Sequence, residues 1–600
     1  MYYSFWIDLP ESNGKFAYEK HGGTTYVKYE IDRVYDSDKK ITYPKRVTIG
    51  KLSEDKTKIC PNEKFLSFFP NAELPISDFR TKRSSCLRAG AFIIIRKIIS
   101  EYKLDEILGM YFNERDLGLF LDLATYTIIA ENNAGQYYPD YAYNHPLFTK
   151  DMKVYSDSTV SDFLASVTAD QSVGFLNEWN GNRSGREKIY ISYDSTNKNS
   201  EAGDVEFVEY GKPKVDVGFP VFNYAVGYDV SNREPLFYEK YPGSIVDVSQ
   251  LRTMLNKAEG YGYKKVGFIL DRGYFSKQNI EHMDKCGYSF VIMVKGMADL
   301  VSSLILEYKG SFENKRACDM DGFGVYGKTI KRKLYETDEK ERYFHLYHNI
   351  SKEASQRLLF EDDLKKMKKY MAEHQDEEIT FGPKFSKYFY LHYDKTGKIF
   401  LMAEEKTAVT EREIDLCGYF VIVTSDKMTA KEALHLYKSR DFSEKAFRGD
   451  KSYLGDKSMR TQSTESTAAK IFVEFVALII RNKIYTSLLD EMIRLGKKLN
   501  YMTVPAAIRE LEKIEMTRQT DNIYRLDHAV TATQKKILNA FGMTEKNIEY
   551  RADWISGELK KAMVKGGAGD GRCKKAERIG TTEQPDRGGT GSSDQAKAFI

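Results

Sequence analysis

The chain has 600 residues, 42% hydrophobic and 13% aromatic, enough to bury several cores and, on length, about three or four domains. Its 91 lysines and arginines against 87 acidic residues leave a formal charge of only +4, which excludes a global field as the means of holding a polyanion and leaves that task to local basic patches. Six cysteines (Cys60, Cys86, Cys286, Cys318, Cys417 and Cys573) without a CxxC pair argue against a zinc ribbon or a disulfide scaffold and fit a reducing cytoplasm.

The start, MYYSFWIDLPESNG, lacks the basic opening and apolar core of a signal peptide, and the longest greasy runs, such as Phe472–Ile480, are too short to span a bilayer. No membrane is expected. Alternating aromatic and charged residues in YYSFW, TTYVKYEIDRVY and ITYPKRVTIGKL predict a few short strands, a small β-rich unit over 1–80. Helical spacing follows in LRAGAFIIIRKIISEYKLDEIL and DLGLFLDLATYTIIAE, so 81–180 is expected to be helical, a bundle that could bury itself or present a helix to DNA as a DNA-end-binding region.

Over 181–295 the rhythm becomes that of an α/β domain. KIYISYDST, PVFNYAVGYDV and EPLFYEKYPG read as three strands, VDVSQLRTMLNKAEGYG as a helix, VGFILD as an apolar strand, SKQNIEHMDKCG as a helix and YSFVIMVK as a further strand. Three meandering strands followed by crossovers are what a ribonuclease H-like core shows. The segment 296–410 interrupts it with the strands KTIKRKLY, RYFHLYHN and KYFYLHYDKTGKIFLMAE and one charged helix near Lys352–His374, a mainly β insertion domain. Residues 411–464 resume the core with the strand LCGYFVIVTS and the helix MTAKEALHLYKSRDFSEKAF, and 465–565 are helical. The tail 566–600 is rich in Gly, Asp, Thr and Ser, cannot offset its ordering entropy, and is expected to be disordered.

The most informative segment runs from Tyr437 to Lys451. On a helix, Arg440, Glu444 and Lys451 lie three, seven and fourteen residues beyond Tyr437, so all four fall within about 60° of arc. Alternatively Gly449 closes such a helix before Lys451, which then reaches the same site from the cap or the following loop. A carboxylate between Arg and Lys is ordinarily a surface ion pair. Here two further acids stand at strand ends: Asp194 after KIYISY, followed by Ser195 and Thr196, and Asp271 after VGFIL, followed by Arg272, Gly273 and Tyr274. Strand ends of an α/β sheet face the crevice where ligands bind, although either aspartate alone also suits a cap or turn. Three acids in one site repel unless cations neutralise them, and two divalent ions held by carboxylates serve in-line phosphoryl displacement.

The spacing Y-x2-R-x3-E-x6-K at Tyr437, Arg440, Glu444 and Lys451 resembles the YREK signature of the IS-four-type superfamily of bacterial insertion-sequence DDE transposases. DRGY at 271–274 is similar to that family's D-x-G-[FY] motif, and DST at 194–196 to the segment around its first aspartate. The long insertion, the RVTIGKL segment and the length resemble the IS-sixteen-thirty-four branch. The resemblance covers roughly residues 45–545. It implies that Asp194, Asp271 and Glu444 are catalytic and bind two Mg²⁺ or Mn²⁺ ions, while Tyr437, Arg440 and Lys451 hold phosphates of the transposon end. It implies as partners double-stranded DNA, both transposon ends and target, and a second copy of the chain in a homodimer on DNA, with the helices after Glu465 as the contact. A bacterial, cytoplasmic, nucleoid-associated setting follows.

Similar proteins stack a flipped base on an aromatic of the insertion, and with no Trp between Trp179 and Trp554 a Tyr or Phe must serve. The expected activity is cut-and-paste transposition: binding of terminal inverted repeats, hydrolysis of the 3′ phosphodiester bonds and transfer of the 3′-hydroxyl ends to target DNA. The competing readings are a catalytically silent DNA-binding derivative and a nuclease without strand transfer. Lys295 reads as a solvated strand-end residue or a DNA contact, and His145 and His435 as structural or surface residues.

Overall fold

The computed structural model describes residues 2–3, 5–11, 15–37, 39–74, 83–183, 185–186, 189–200, 205–210, 220–245, 247–263, 265–294, 298–441 and 458–567. At the N-terminus, β1 (Ile7–Asp8), β2 (Phe16–His21), β3 (Thr24–Asp36), β4 (Ile41–Leu52) and β5 (Lys58–Pro61) form one antiparallel sheet in the order β1-β5-β4-β3-β2. β3 and β4 are 13 and 12 residues long rather than short, because each pairs with the other along most of its length. Val27, Ile49, Ile59 and Phe65 close a small core of their own beneath this sheet.

Helices Gly90–Glu101, Glu114–Ala130, Tyr138–Asn144, Asp157–Ser166 and Ala169–Gly181 follow, entered through the short strand β6 (Cys86–Arg88). Gly90 opens the first of them where a Cβ would lie 2.2 Å from the Leu511 carbonyl oxygen, so only glycine permits that approach. β6 is completed from far along the chain, pairing antiparallel with β19 (Glu515–Arg518), which in turn pairs with β20 (Tyr524–Leu526).

The central sheet carries ten strands among the described residues. β7 (Ile189–Ser200), β8 (Val221–Asp229) and β9 (Glu234–Pro242) form an antiparallel meander. After the helix Asp247–Gly260, β10 (Val266–Leu270) lies parallel to β7, and after the helix Lys277–Lys285, β11 (Ser289–Met293) lies parallel to β10. Every residue of β8 and β10 is buried, as an α/β sheet covered on both faces requires.

Beyond β11 the sheet departs from the expected separation of core and insertion. β12 (Asp319–Met320), β13 (Val325–Lys333) and β14 (Glu341–His348) come from the segment 296–410, yet β14 pairs with β17 (Tyr419–Thr424), which pairs with β11. One sheet therefore runs β12-β13-β14-β17-β11-β10-β7-β8-β9, with β18 (Ser458–Met459) alongside the far end of β7. The inserted segment is mixed rather than mainly β, with helices Ala298–Tyr308, Ile350–Glu373 and Pro383–Tyr388 beside the hairpin of β15 (Phe389–Tyr393) and β16 (Phe400–Glu405). Its helix and hairpin enclose a separate small core of Leu364, Met367, Met371, Tyr388, Phe389 and Phe400.

The helix Thr464–Leu495 joins the layers. From Ala469 to Asn482 every residue is buried, and the helix packs on Glu114–Ala130, Asp157–Ser166 and β9. A stretch covered on all faces within its own chain leaves none of that surface for a second copy, which moves the expected dimer contact away from this part of the C-terminal region. Among the described residues no helix is long and apolar enough to cross a membrane.

Candidate functional site

The two aspartates meet through strand register. Leu270 of β10 is partnered with Tyr193 of β7, the last pair of that parallel ladder, and the next residue on each chain is an acid, Asp271 and Asp194. Adjacent parallel strands lie about 4.8 Å apart and in-register residues share a face, so the two carboxylates stand side by side where β10 ends in the interior of the sheet. Asp271 follows its strand, as expected. Asp194 does not end one: β7 continues to Ser200 because β8 pairs with it through Asn199.

Each carboxylate is fixed locally by the backbone after it. The Ser195 N–H donates to Asp194 Oδ1 at 2.9 Å, and the Arg272 N–H donates to Asp271 Oδ1 at 2.8 Å, where Asp271 caps the short turn Arg272–Tyr274. Tyr274, buried behind that turn, packs its ring 5.5 Å from that of Tyr193 and so ties the two strand segments together.

The helix Ala430–Lys438 brings the third group. Thr429 and Glu432 form a capping box: the Glu432 N–H donates to Thr429 Oγ1 at 3.2 Å and the Thr429 N–H to Glu432 Oε2 at 2.7 Å, which fixes where the helix begins. Ala430 and Leu434 pack with Ile269, two residues before Asp271, in a cluster against which Tyr437 also lies. The helix ends at Lys438. The Ser439 N–H donates to the His435 carbonyl at 2.9 Å and the Arg440 N–H to the Tyr437 carbonyl at 3.3 Å, so a turn carries Arg440 where a continuous helical face was expected.

Through that turn Arg440 Nη1 reaches Asp271 Oδ1 at 2.8 Å and the Tyr437 hydroxyl at 3.4 Å. Burial acts to raise the Asp271 pKa, but the hydrogen bond and charge of Arg440 outweigh it and hold the carboxyl below the usual carboxylate range. Both contacts of Asp271 fall on Oδ1; among the described residues none falls on Oδ2. A free carboxylate oxygen on an ionised group, next to a second carboxylate, is a donor set that suits a hard divalent cation.

The structure thus brings Asp194, Asp271, Tyr437 and Arg440 to one place. Glu444, Lys451 and Lys295 lie outside the described residues. Among the described residues no group of three or more His, Cys, Asp or Glu side chains is placed to hold a metal ion. His145 is buried, with Nδ1 2.7 Å from the Tyr141 carbonyl oxygen and Nε2 2.7 Å from Glu512 Oε2, a tie between two helical segments rather than part of the site. His435 meets Phe323 edge-on at 6.3 Å.

Two contacts were not legible beforehand. The Arg440–Asp271 ion pair joins residues 169 positions apart, and only the sign of their charges hinted at it. Lys198, buried further along β7, donates to Glu474 Oε2 at 3.1 Å, and the amide of Asn133 donates to Glu474 Oε1 at 2.9 Å, so the strand of the first aspartate is anchored to the long helix.

The candidate site thus consists of two neighbouring acids on a mixed α/β sheet with the Arg440 guanidinium beside one of them. Residues 193–480 match the family model described as a transposase DDE domain, a range that encloses Asp194, Asp271, Tyr437, Arg440, Glu444 and Lys451. Over that range the chain carries a DDE-transposase domain. Among solved structures the chain is similar to a piggyBac transposase synaptic complex with hairpin DNA, determined by cryo-EM, at 9% identity and a TM-score of 0.33, over 78% of this chain and 82% of that one. The comparison with curated proteins found no match.

Proposed function

We propose that the protein is a cut-and-paste DNA transposase of the IS-four-type superfamily, acting through Asp194, Asp271 and Glu444 on a ribonuclease H-like core. The observation that carries this reading is the register that sets Asp271 beside Asp194, with Arg440 delivered to the same point. The strand order β9-β8-β7-β10-β11, antiparallel then parallel, supports the core assignment.

DDE transposases generally use divalent metal ions. Asp194 and Asp271, with Glu444, would hold two Mg²⁺ or Mn²⁺ ions, which supply neutralisation of the acids and of charge on the reacting phosphate. The chain's own residues do the rest. Arg440 offers a forked contact to a phosphate oxygen, Tyr437 a hydroxyl donor beside it, and Lys451 a point charge, so the scissile phosphate of a transposon end is held over the paired carboxylates. Cleavage and joining are both attacks by an oxygen on phosphorus, so one site serves hydrolysis of the 3′ bond and transfer of the 3′-hydroxyl to target DNA. Tyr390, 57% exposed on β15, and Tyr370 are the candidates in the insertion for stacking on an unpaired base.

Replacing Glu444 by Gln is expected to abolish Mg²⁺-dependent cleavage of end DNA while end binding remains measurable in a mobility-shift assay. Full cleavage by that variant would remove Glu444 from the mechanism. Precut ends incubated with a plasmid separate this reading from a nuclease, since only a transposase links them to the second DNA.

A further inference from the structure

Arg440 is engaged twice over. It is the side chain best suited to grip the phosphate of a transposon end, yet its guanidinium lies 2.8 Å from Asp271 Oδ1. Asp271 is likewise the partner a divalent cation would seek. Each group therefore already partners the other, Arg440 through Nη1 and Asp271 through Oδ1, and the charge that either would offer its ligand is largely balanced. The arrangement is well supported: Tyr437, whose hydroxyl lies 3.4 Å from Arg440 Nη1, packs against the cluster that includes Ile269, and the Arg272 N–H holds Asp271 Oδ1 in place. The Arg440 side chain is only 16% exposed, so its charge is little screened by water at this contact, whereas Asp271 is 41% exposed and open to a competitor.

We infer that the Arg440–Asp271 ion pair is a latch that couples cation binding to DNA binding. A cation arriving alone at Asp271 Oδ2 meets a carboxylate whose charge Arg440 already balances and is repelled by the guanidinium beside it, and a phosphate arriving alone must draw Arg440 away from Asp271. When both arrive, one ion pair is exchanged for two, so the cost of opening the latch is met once and each ligand tightens the other. Linkage makes this reciprocal: the factor by which DNA raises cation affinity equals the factor by which the cation raises DNA affinity. The consequence is an enzyme that discriminates against loading metal until a DNA end is present. This inference rests on the proposed roles of Asp271 and Arg440.

The test uses the full chain and Mn²⁺ as the probe, with free Mn²⁺ counted by electron paramagnetic resonance. Without DNA, Arg440→Gln is expected to bind Mn²⁺ on the order of fivefold to tenfold more tightly than the wild type, and Arg440→Lys, which keeps the charge but loses the fork, to fall between them. A mixed-sequence duplex at low salt, corrected for Mn²⁺ bound by the DNA alone, is expected to raise the affinity of the wild type and leave that of Arg440→Gln unchanged. Equal Mn²⁺ affinities in wild type and both Arg440 variants, with Asp271→Asn weakening all of them, would overturn the latch while leaving Asp271 as a ligand. Mn²⁺ binding that ignores Asp271→Asn would instead overturn the reading of the site and the latch with it.

Discussion

His345 lies on β14 with both ring nitrogens occupied, Nδ1 2.9 Å from Thr329 Oγ1 on β13 and Nε2 3.0 Å from Thr424 Oγ1 on β17. It is fully buried, and burial pushes its pKa down from 6.5 to about 4, against a small opposing pull from Glu432. The neutral ring is what the sheet accepts. A folded-state pKa below the unfolded one means that the unfolded chain binds more protons in between, so the contribution of His345 is fully present above about 6.5 and is lost as pH falls toward 4. Urea unfolding followed between those limits should show stability falling with pH, and His345→Gln, which can still meet both threonines, should flatten that dependence. An unchanged slope in the variant would place the sensitivity elsewhere.

At the scale of elements, the pair of Lys198 on β7 and Glu474 on the helix Thr464–Leu495 has side-chain exposures of 0% and 1%. Replacing one partner leaves a charge buried without its counter-ion, so Lys198→Met is expected to cost about 3–5 kcal/mol, while adding Glu474→Leu to it should return much of that loss. Thermal melting of the two variants decides the matter, and a double variant no better than the single would argue against pairing as the source.

These examples also show where sequence reading stops. The apolar run of β10, the meander before it and a helix within MTAKEALHLYKSRDFSEKAF were legible because each is specified by its own neighbours: VGFIL is buried throughout, and the helix keeps its apolar spacing from a start that Thr429 and Glu432 cap in the structure. What Asp194 and Asp271 share was legible only as two separate strand ends; the register of Leu270 with Tyr193, which makes them adjacent, is a long-range pairing that no local pattern encodes. The turn at Ser439 and Arg440, which interrupts the helix before Asp441, was not legible for the converse reason, and the rest of the expected helical face, with Glu444 and Lys451, lies outside the described residues. Periodicity continued through a point where the backbone turns, and charge spacing carries no signal of the turn. β13 and β14 read correctly as strands, but nothing in KTIKRKLY or RYFHLYHN says that they extend the central sheet rather than form their own.

For the whole molecule, a net charge of +4 offers little attraction at a distance, so DNA affinity should come from a few local phosphate contacts. The logarithm of the binding constant for end DNA is then expected to fall linearly with the logarithm of salt, and Arg440→Gln to reduce the slope by about one, the loss of one phosphate contact. A slope unchanged by the substitution would take Arg440 out of the DNA interface.

The long helix Thr464–Leu495 and the pairing of β6 with β19 carry a consequence for how the protein is made. Cys86 is partnered with Thr517, and the Tyr524 hydroxyl donates to the Ser84 carbonyl, so the helices after β6 find part of their covering more than 300 residues further along the chain. During most of synthesis the apolar faces of Gly90–Glu101 and Glu114–Ala130 wait uncovered, an invitation to chaperones and to aggregation. A chain cut short before residue 464 would lack the helix that packs on Glu114–Ala130 and Asp157–Ser166 and is expected to be aggregation-prone.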